Sequence, residues 1–258
     1  MATEPIVSLK NIKKSYLGNT VFDGLNLSLI PGNFYALLGK NGSGKSTLIR
    51  ILAHREIATS GEGMVLGTSL DCDFAERANL LAYVSEATYM PPGQKIRDLM
   101  ALHAKVYPKW DPEEAARLAE GFHLNIDKRS GELSRGQLVQ MSLVLNLSYG
   151  PLLILLDEVT SVLDASARGF LMEELSARVK IGATVLLATN IVTEVQDIAN
   201  ALVLVGGGRI RLNTPISEIS SEFLKLKRNP AQDHPIYKQD TCIEVGLSAS
   251  GAPLYPDL

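Results

Sequence analysis

The stretch GKNGSGKST, residues 39–47, decides the fold of this 258-residue chain. It contains the pattern Gly-x-x-x-x-Gly-Lys-Ser and follows an apolar run, FYALL at residues 34–38, that is typical of a short buried strand. A helical pattern then begins at about Ser46 and continues through Ala53. A strand, a glycine-rich turn and a helix in this order form a phosphate-binding loop, in which backbone N–H groups turn inward around the phosphates. The sequence therefore predicts nucleotide binding rather than a flexible glycine turn that matches the pattern by chance.

The polar residues of this loop each suit a particular part of the nucleotide. Lys45 supplies a cation near the β and γ oxygens, and the Ser46 hydroxyl is placed to bind Mg²⁺. The N-terminus of the following helix adds its partial positive charge. The residues that we expect to contact the nucleotide are Gly39, Asn41, Gly42, Ser43, Gly44, Lys45, Ser46 and Thr47.

An acidic pair, Asp157 and Glu158, follows the apolar run LLILL at residues 152–156. Open α/β sheets bind their ligands at the carboxyl ends of the strands. We therefore expect Asp157 to hold Mg²⁺ through water and Glu158 to act as the general base for an attacking water. The alternative is a strand that simply meets solvent at two ordinary acids, but the phosphate loop upstream favours the functional interpretation.

Strand and helix patterns alternate from residue 152 onward. Strand patterns cover residues 183–189 and 201–205, and a helical pattern covers residues 192–199. Such alternation indicates a largely parallel sheet covered by helices. An alternating pattern at residues 25–30 adds strands before the phosphate loop.

The middle of the chain, residues 95–149, has helical patterns instead. Asp111 is followed by a proline and two glutamates, which is typical of a capped helix start. Gly121 is expected to end that helix, and Ser134 to cap the next one.

The composition is that of an ordinary globular protein, with 46% hydrophobic and 21% charged residues. The 25 Lys and Arg against 28 Asp and Glu leave a net charge of −3, which disfavours nucleic acid as a partner of the whole protein. The two cysteines predict neither a disulfide framework nor a zinc site. The longest apolar runs are too short to span a membrane, and the first residues do not read as a signal peptide, so we expect a cytoplasmic protein.

Two further motifs complete a recognisable set. LSRGQ at residues 133–137 lies between the phosphate loop and the acidic pair, and SVLD at residues 161–164 follows that pair. In this order and spacing, over roughly residues 5–220, the chain resembles the ATP-binding cassette (ABC) ATPases. Among them it is most similar to the separate-chain ATP-binding subunits of bacterial exporters.

The resemblance implies an α/β P-loop NTPase fold of the ABC-ATPase type, with a mainly parallel core sheet, an antiparallel N-terminal β part and a helical lobe. Residues 1–87 and 151–227 would form the ATP-binding core, and residues 88–150 the helical lobe that carries LSRGQ. Residues 228–258 contain four prolines and one strand pattern at residues 242–247, and we interpret them as a C-terminal extension. The implied cofactors are ATP and Mg²⁺.

The resemblance also implies a head-to-tail dimer, either a homodimer or a heterodimer with a second cassette. The ATP on the phosphate loop of one subunit would be covered by Ser134, Gly136 and Gln137 of the other. Asp164 would help to couple the two sites, and Tyr16 occupies the position of an aromatic residue that stacks on adenine. A tyrosine that only packs on a hairpin is the alternative for Tyr16.

Four positions depart from the family pattern. Arg135 replaces the middle glycine of LSGGQ, and Val159 replaces a proline after the acidic pair. Glu86 stands where a glutamine is expected and could still bind Mg²⁺, but it brings another negative charge toward the triphosphate. Asn190 stands where a histidine would contact the γ-phosphate; it keeps a donor but is shorter. We therefore hypothesise slow hydrolysis, or a better-equipped partner cassette, with compensation by neighbouring residues and ordinary turnover as the alternative.

The function predicted from these motifs is an ATP-hydrolysing subunit that powers a separate integral membrane permease from the cytoplasmic face. One alternative is a mechanotransmitter, in which the same cycle moves an effector and transports nothing. Another is an ABC ATPase that acts without a membrane partner on DNA, ribosomes or cofactor assembly. A P-loop kinase or GTPase is disfavoured by LSRGQ and SVLD.

Overall fold

The computed structural model describes residues 4–72, 75 and 77–218. Its strands are β1 (Val7–Tyr16), β2 (Asn19–Leu29), β3 (Phe34–Leu38), β4 (Ser60–Val65), β5 (Thr68–Ser69), β6 (Leu81–Ser85), β7 (Leu153–Asp157), β8 (Thr184–Ala188), β9 (Ala201–Gly206) and β10 (Arg209–Pro215). Its α-helices are α1 (Lys45–Leu52), α2 (Ile96–Val106), α3 (Pro112–Gly121), α4 (Arg135–Leu147) and α5 (Ala165–Lys180).

A six-stranded sheet in the order β10-β9-β3-β8-β7-β6 forms the centre of the fold. Strands β9, β3, β8, β7 and β6 are parallel to one another, and β10 pairs with β9 in the antiparallel direction. Strands β3, β7 and β8 are buried along their whole length, as continuous apolar runs in a covered parallel sheet are. The α/β architecture predicted from the alternating patterns is confirmed.

A second, four-stranded antiparallel sheet has the order β2-β1-β4-β5. Its buried residues, such as Leu25 and Val65, share one apolar cluster with Ile49 of α1 and Leu37 of β3. The helix after the phosphate loop is therefore held between the two sheets. The antiparallel β part predicted near the N-terminus is confirmed.

The helices α2, α3 and α4 follow one another between β6 and β7, where the sequence predicted helices. The carboxylate of Asp111 accepts hydrogen bonds from the backbone N–H groups of Glu113 and Glu114, at 2.9 and 3.1 Å, and so caps α3. Helix α3 ends at Gly121, as expected. Ser134 caps α4 as predicted: its Oγ accepts from the backbone N of Gln137, whose side chain accepts in turn from the backbone N of Ser134.

A network of four charged side chains joins α3 to α5. The Arg117 guanidinium donates to Glu114 of its own helix and, at 2.7 Å, to both carboxylate oxygens of Glu174 on α5. Arg178 donates to Glu114 from α5 at 2.6 Å. Hydrogen bonds from Arg117 lower the pKa of Glu114 to about 2, against the opposing effect of its partial burial and with further help from Arg178. The network fixes one helix of the middle segment against the core.

One predicted element is wrong. The helical pattern at residues 192–199 forms only a short 3₁₀ turn, Val192–Glu194, followed by turns. β-branched side chains at Ile191, Val192, Thr193 and Val195 lose rotamer freedom in a helix, which explains the weak helical tendency of this segment. The predicted C-terminal extension, 228–258, and its strand pattern at 242–247 lie outside the described residues.

Among the residues that the structure describes, no helix is both long and apolar enough to cross a lipid bilayer.

We predict that Glu114→Gln lowers the free energy of unfolding by about 1 kcal/mol at pH 7, since it removes a partly buried member of a charged network. A carboxylate whose pKa is lowered by folding stabilises the protein above its unfolded pKa, and this stabilisation is lost as the pH falls toward the folded pKa. The difference in free energy of unfolding between wild type and Glu114→Gln should therefore shrink as the pH falls from 4.5 toward about 2. Urea unfolding at pH 7, 4.5 and 3 measures it.

Glu120→Gln provides the matched control, because Glu120 is an exposed residue of the same helix. It should change the free energy of unfolding by less than about 0.5 kcal/mol at each pH. A Glu114→Gln difference that does not vary with pH would contradict the role given to the network.

Candidate active site

The phosphate loop connects the end of β3 to the start of α1, where the sequence predicted it. Gly44 has φ +103°, and a Cβ atom built on it would lie 2.6 Å from the Phe22 ring. Only glycine therefore fits at this position without strain or displacement of the ring. The backbone of α1 begins immediately afterwards at Lys45, so the N-terminus of the helix opens onto the loop.

A cavity of about 300 Å³ lies over this loop. It is lined by Val21, Asn41, Gly42, Gly44, Lys45, Ser46, Thr47 and Glu158. The sequence pointed to all of these except Val21, a residue of β2 that only the tertiary fold brings to the loop. Gly39 and Ser43 belong to the loop but not to the lining. The buried Ser43 Oγ has no hydrogen-bond partner among the described residues.

Lys45 is the buried cation of the site, with 4% of its surface exposed. Its Nζ donates at 2.9 Å to the carbonyl of Gly39 and at 2.8 Å to Oδ1 of Asn190, and it lies 3.6 Å from Oε1 of Glu158. Burial lowers the pKa of Lys45, and the nearby Glu158 carboxylate opposes that shift. A buried cation whose desolvation the nearby carboxylates do not fully offset is well suited to receive an anionic ligand.

Asn190, which follows β8, contacts three groups of the site. Besides accepting from Lys45, its side-chain amide donates at 2.9 Å to Oδ1 of Asn41 and at 3.3 Å to Oε1 of Glu158. The shorter side chain therefore reaches the phosphate-loop lysine and the acidic residue together.

Asp157 ends β7 next to the phosphate loop, and its side chain is buried. The Ser46 hydroxyl donates to its Oδ1 at 2.8 Å. Burial raises the pKa of Asp157, and the negative charges of Glu158 and Glu86 raise it further. The Ser46 hydrogen bond and the charge of Arg50 lower it, but the net shift is upward. A hydroxyl and a carboxylate oxygen from two different elements are donors that suit Mg²⁺, which takes a few protein oxygens together with phosphate oxygens and water.

Glu158 adopts a left-handed backbone conformation, with φ +53°. A glutamate in this region carries a backbone strain of about 1 kcal/mol or more, which the surrounding structure must hold in place. The turn directs the carboxylate toward Lys45 and into the cavity lining.

Glu86 follows β6, and its backbone N–H donates to the carbonyl of Asp157 at 3.1 Å. Its carboxylate accepts from the Ser161 hydroxyl at 3.1 Å and lies 3.3 Å from the guanidinium of Arg135. Nothing in the sequence pattern indicated this ion pair, because the two residues belong to separate motifs.

The residues of the LSRGQ segment lie at the start of α4, and neither Ser134 nor Gly136 nor Gln137 lines the cavity. Gly136 packs against the backbone of the SVLD segment, where a Cβ atom would lie 2.6 Å from the carbonyl of Val162. Asp164 caps α5 by accepting from the backbone N of Ala167 at 2.9 Å. The described chain thus keeps these two segments together but apart from its own phosphate loop.

Tyr16 lies at the end of β1, is 39% exposed and does not line the cavity. Its hydroxyl donates to Glu56, and the Nζ of Lys14 lies 4.6 Å from the centre of its ring. These contacts fix the position of the ring, and stacking on adenine stays a prediction.

Comparison with known proteins agrees with this geometry. A family model described as "ABC transporter" matches residues 22–161, which include the phosphate loop, LSRGQ and the acidic pair. The chain belongs to the ABC transporter family. Within it, the chain is an ATP-binding subunit with the P-loop fold of the ABC ATPases, as the sequence resemblance predicted.

Individual relatives of this ABC subunit cover most of its length. The chain is 26% identical to the ABC transporter ATP-binding protein YtrB of Bacillus subtilis (strain 168), over 86% of the chain and 76% of that protein. It is 32% identical to the aliphatic sulfonates import ATP-binding protein SsuB of Pseudomonas fluorescens (strain Pf0-1), over 81% of the chain and 77% of that protein. Because one of these relatives is named for import, the resemblance to exporter subunits stays a prediction.

A solved structure has a similar fold. It is described as the dimeric post-hydrolysis state of the ATP-binding cassette MJ0796 bound to ADP and Pi, and it matches with a TM-score of 0.72 at 22% identity. The match covers 81% of this ABC subunit and 98% of that chain.

We predict that Gly44→Ala weakens ATP binding at least tenfold, because the new methyl group meets the Phe22 ring and the backbone must keep its positive φ. Titration of the purified chain with a fluorescent ATP analogue measures the affinity. Gly67→Ala is the matched control: Gly67 also has positive φ, at +77°, but no atom lies within 4 Å of its Cβ position. It should lower stability by about 1 kcal/mol and leave ATP affinity unchanged. Equal effects of both substitutions on ATP affinity would contradict the fit argued for Gly44.

Proposed function

We propose that this subunit hydrolyses ATP and thereby powers a separate integral membrane permease. The observation that carries the proposal is the position of Lys45 and Glu158 on one cavity, with the Ser46–Asp157 hydrogen bond beside it. These groups supply a cation for the phosphates, oxygen ligands for Mg²⁺ and a carboxylate that can accept a proton.

The residues of the phosphate loop bind the phosphates through their backbone N–H groups, and Lys45 balances the charge of the β and γ oxygens. Ser46 and Asp157 would hold Mg²⁺. The carboxylate of Glu86 contacts Ser161 and Arg135 instead, so its role as a further Mg²⁺ ligand stays a prediction from the sequence. When bound, Mg²⁺ supplies charge neutralisation at the phosphate oxygens. Asn190 orients the groups that it contacts, Lys45 and Glu158.

The reaction is an in-line displacement at the γ-phosphorus. The oxygen of a water molecule forms a bond to phosphorus while the bond to the β,γ-bridging oxygen breaks, which yields ADP and inorganic phosphate. Glu158 accepts the proton that the water loses. The strained turn of Glu158 favours this role, because it holds the carboxylate at the cavity rather than in solvent.

We infer a head-to-tail dimer as the active form. Ser134, Gly136 and Gln137 stand at the capped N-terminus of α4, where N–H groups and the helix dipole attract an anion. They do not line the cavity of their own chain, which leaves them available to the ATP of a partner subunit. The dimeric state of a solved cassette of the same fold supports this arrangement. Asp164 then couples the two sites.

Among the described residues, those within 1–87 and 151–227 form the ATP-binding core, and residues 88–150 form the helical lobe. Tyr16 stacks on adenine. The dimer sits at the cytoplasmic face of the membrane on its permease, and no nucleic acid partner is expected.

We further propose that hydrolysis is slow or depends on a better-equipped partner cassette. Glu86 adds a negative charge near Asp157, and Arg135 offsets it only in part because both side chains of that ion pair are partly exposed. Burial already raises the pKa of Asp157. Asn190 lacks the ring and the proton charge of a histidine. Both features reduce the stabilisation of charge that develops on the transferred phosphoryl group.

We predict that Glu158→Gln lowers the hydrolysis rate at least 100-fold, the size of effect that general-base catalysis supports. The amide keeps the size of the side chain, so ATP still binds and the nucleotide-bound dimer accumulates. Phosphate release measures the rate, and light scattering after size-exclusion chromatography measures the dimer. Glu173→Gln, at an exposed position of α5, is the matched control and should leave both unchanged.

Two results would contradict parts of this proposal. Unchanged hydrolysis in Glu158→Gln would remove Glu158 as the base. The slow-turnover hypothesis would be contradicted by a high wild-type hydrolysis rate that Glu158→Gln abolishes and Asn190→His leaves unchanged.

The transport role is tested by recovering tagged full-length chain from detergent-solubilised membranes and identifying co-purifying proteins by mass spectrometry. We expect a polytopic membrane protein to co-purify. A second cassette in the same sample would indicate a heterodimer, and its absence a homodimer. Recovery of soluble partners alone, or of none, would overturn the transport role in favour of an ABC ATPase that acts without a membrane. A recovered membrane complex that hydrolyses ATP but transports no substrate would favour the mechanotransmitter.

A further inference from the structure

Two of the positions that depart from the ABC pattern contact each other. The carboxylate of Glu86, after β6, lies 3.3 Å from the guanidinium of Arg135, the first residue of α4. The family pattern that the chain resembles has a glutamine and a glycine at these two positions, and neither carries a charge. This chain has an anion and a cation there instead, and the cation offsets part of the negative charge.

Glu86 lies next to the phosphate site, although it does not line the cavity itself. Its backbone N–H donates to the carbonyl of Asp157, and Asp157 accepts from Ser46 of the phosphate loop. Its carboxylate also accepts from the Ser161 hydroxyl, so it is anchored on one side by the turn after β7. A negative charge fixed here repels a bound polyphosphate, and it repels ATP more than ADP because ATP carries one more phosphate.

We propose that Arg135 is a positioning residue for Glu86, and that its charge is needed for ATP to bind in preference to ADP. This inference rests on the proposed function, because it assumes that the nucleotide occupies the cavity at Lys45. Arg135 neutralises Glu86 and holds its carboxylate toward α4. Without Arg135, the carboxylate is an uncompensated charge beside Asp157. With a neutral residue at position 86, Arg135 is no longer required.

The pair differs from the other exposed ion pairs of the chain in where it lies. Its side chains are partly solvent-exposed, 64% for Arg135 and 37% for Glu86, and such pairs by themselves contribute little to stability. We therefore expect the ion pair to change the affinity for nucleotide, because the nucleotide adds a third charge, and not the free energy of unfolding.

The test is a double-mutant cycle in the full chain with Glu86→Gln, Arg135→Gln and the two combined. Gln is used at position 135 because it is a better helix former than glycine, so α4 keeps its first turn. Dissociation constants for ATP and for ADP are measured in the presence of Mg²⁺ by calorimetric titration. We expect Arg135→Gln to weaken ATP binding about fivefold more than ADP binding, and the double variant to return within about twofold of wild type.

Two further variants control for trivial effects. Arg97→Gln combined with Asp127→Asn removes an exposed ion pair that does not line the cavity, and it should change neither dissociation constant. Arg135→Lys keeps the charge and should keep the preference for ATP. Thermal unfolding shows whether Arg135→Gln is folded. If it is not, Arg135→Lys is measured in its place, and a loss of ATP preference in folded Arg135→Lys would overturn the inference.

The outcomes separate this inference from the proposed function. Unchanged ATP preference in Arg135→Gln, or a double variant no better than Arg135→Gln, overturns the inference alone when the wild type hydrolyses ATP. Rescue by Glu86→Gln in a chain that binds ATP without hydrolysing it supports the inference and overturns the proposed hydrolysis. A wild-type chain that binds no ATP overturns both.

Discussion

The structure depends on how the charge of one buried lysine is compensated. Lys45 is placed at the start of α1 by the phosphate loop, and removing its charge from water is costly unless other groups compensate. The compensating groups come from three separate parts of the chain: the carbonyl of Gly39 after β3, Glu158 after β7 and Asn190 after β8. Because β3, β8 and β7 are parallel neighbours, their carboxyl ends meet at this one point. The strand order and the site are thus determined together.

Most of the phosphate site could be predicted from the sequence because its residues are contiguous. The loop of residues 39–47 needs only the local order of strand, glycine turn and helix, and the caps at Asp111 and Ser134 are equally local. The helix predicted at residues 192–199 is wrong, because the β-branched side chains of this segment outweigh its hydrophobic spacing. Spacing describes which face a helix would bury, but it does not establish that the helix forms.

The contacts that the sequence could not provide are those between distant segments. Val21 lines the cavity only because β2 passes beside the phosphate loop, and no motif marks it. The Asn190 side chain is shorter than the histidine of the family pattern. Its amide nevertheless contacts Asn41 and Glu158 at once, because the turn after β8 brings its backbone close to the loop. Side-chain length alone is a poor guide to reach when the position of the backbone is unknown.

Two departures from the family pattern have a different effect together than each has alone. Considered one at a time, Glu86 is an unfavourable charge near a polyphosphate and Arg135 is a tolerated surface substitution. In the folded chain they lie 3.3 Å apart, so the cost of one is offset by the other. Their contact also joins the start of α4 to the strand end that carries Asp157, through the backbone hydrogen bond of Glu86. A neutral glutamine and glycine could not make an ionic link there. Two substitutions that seem independent in the sequence therefore contact each other in the structure.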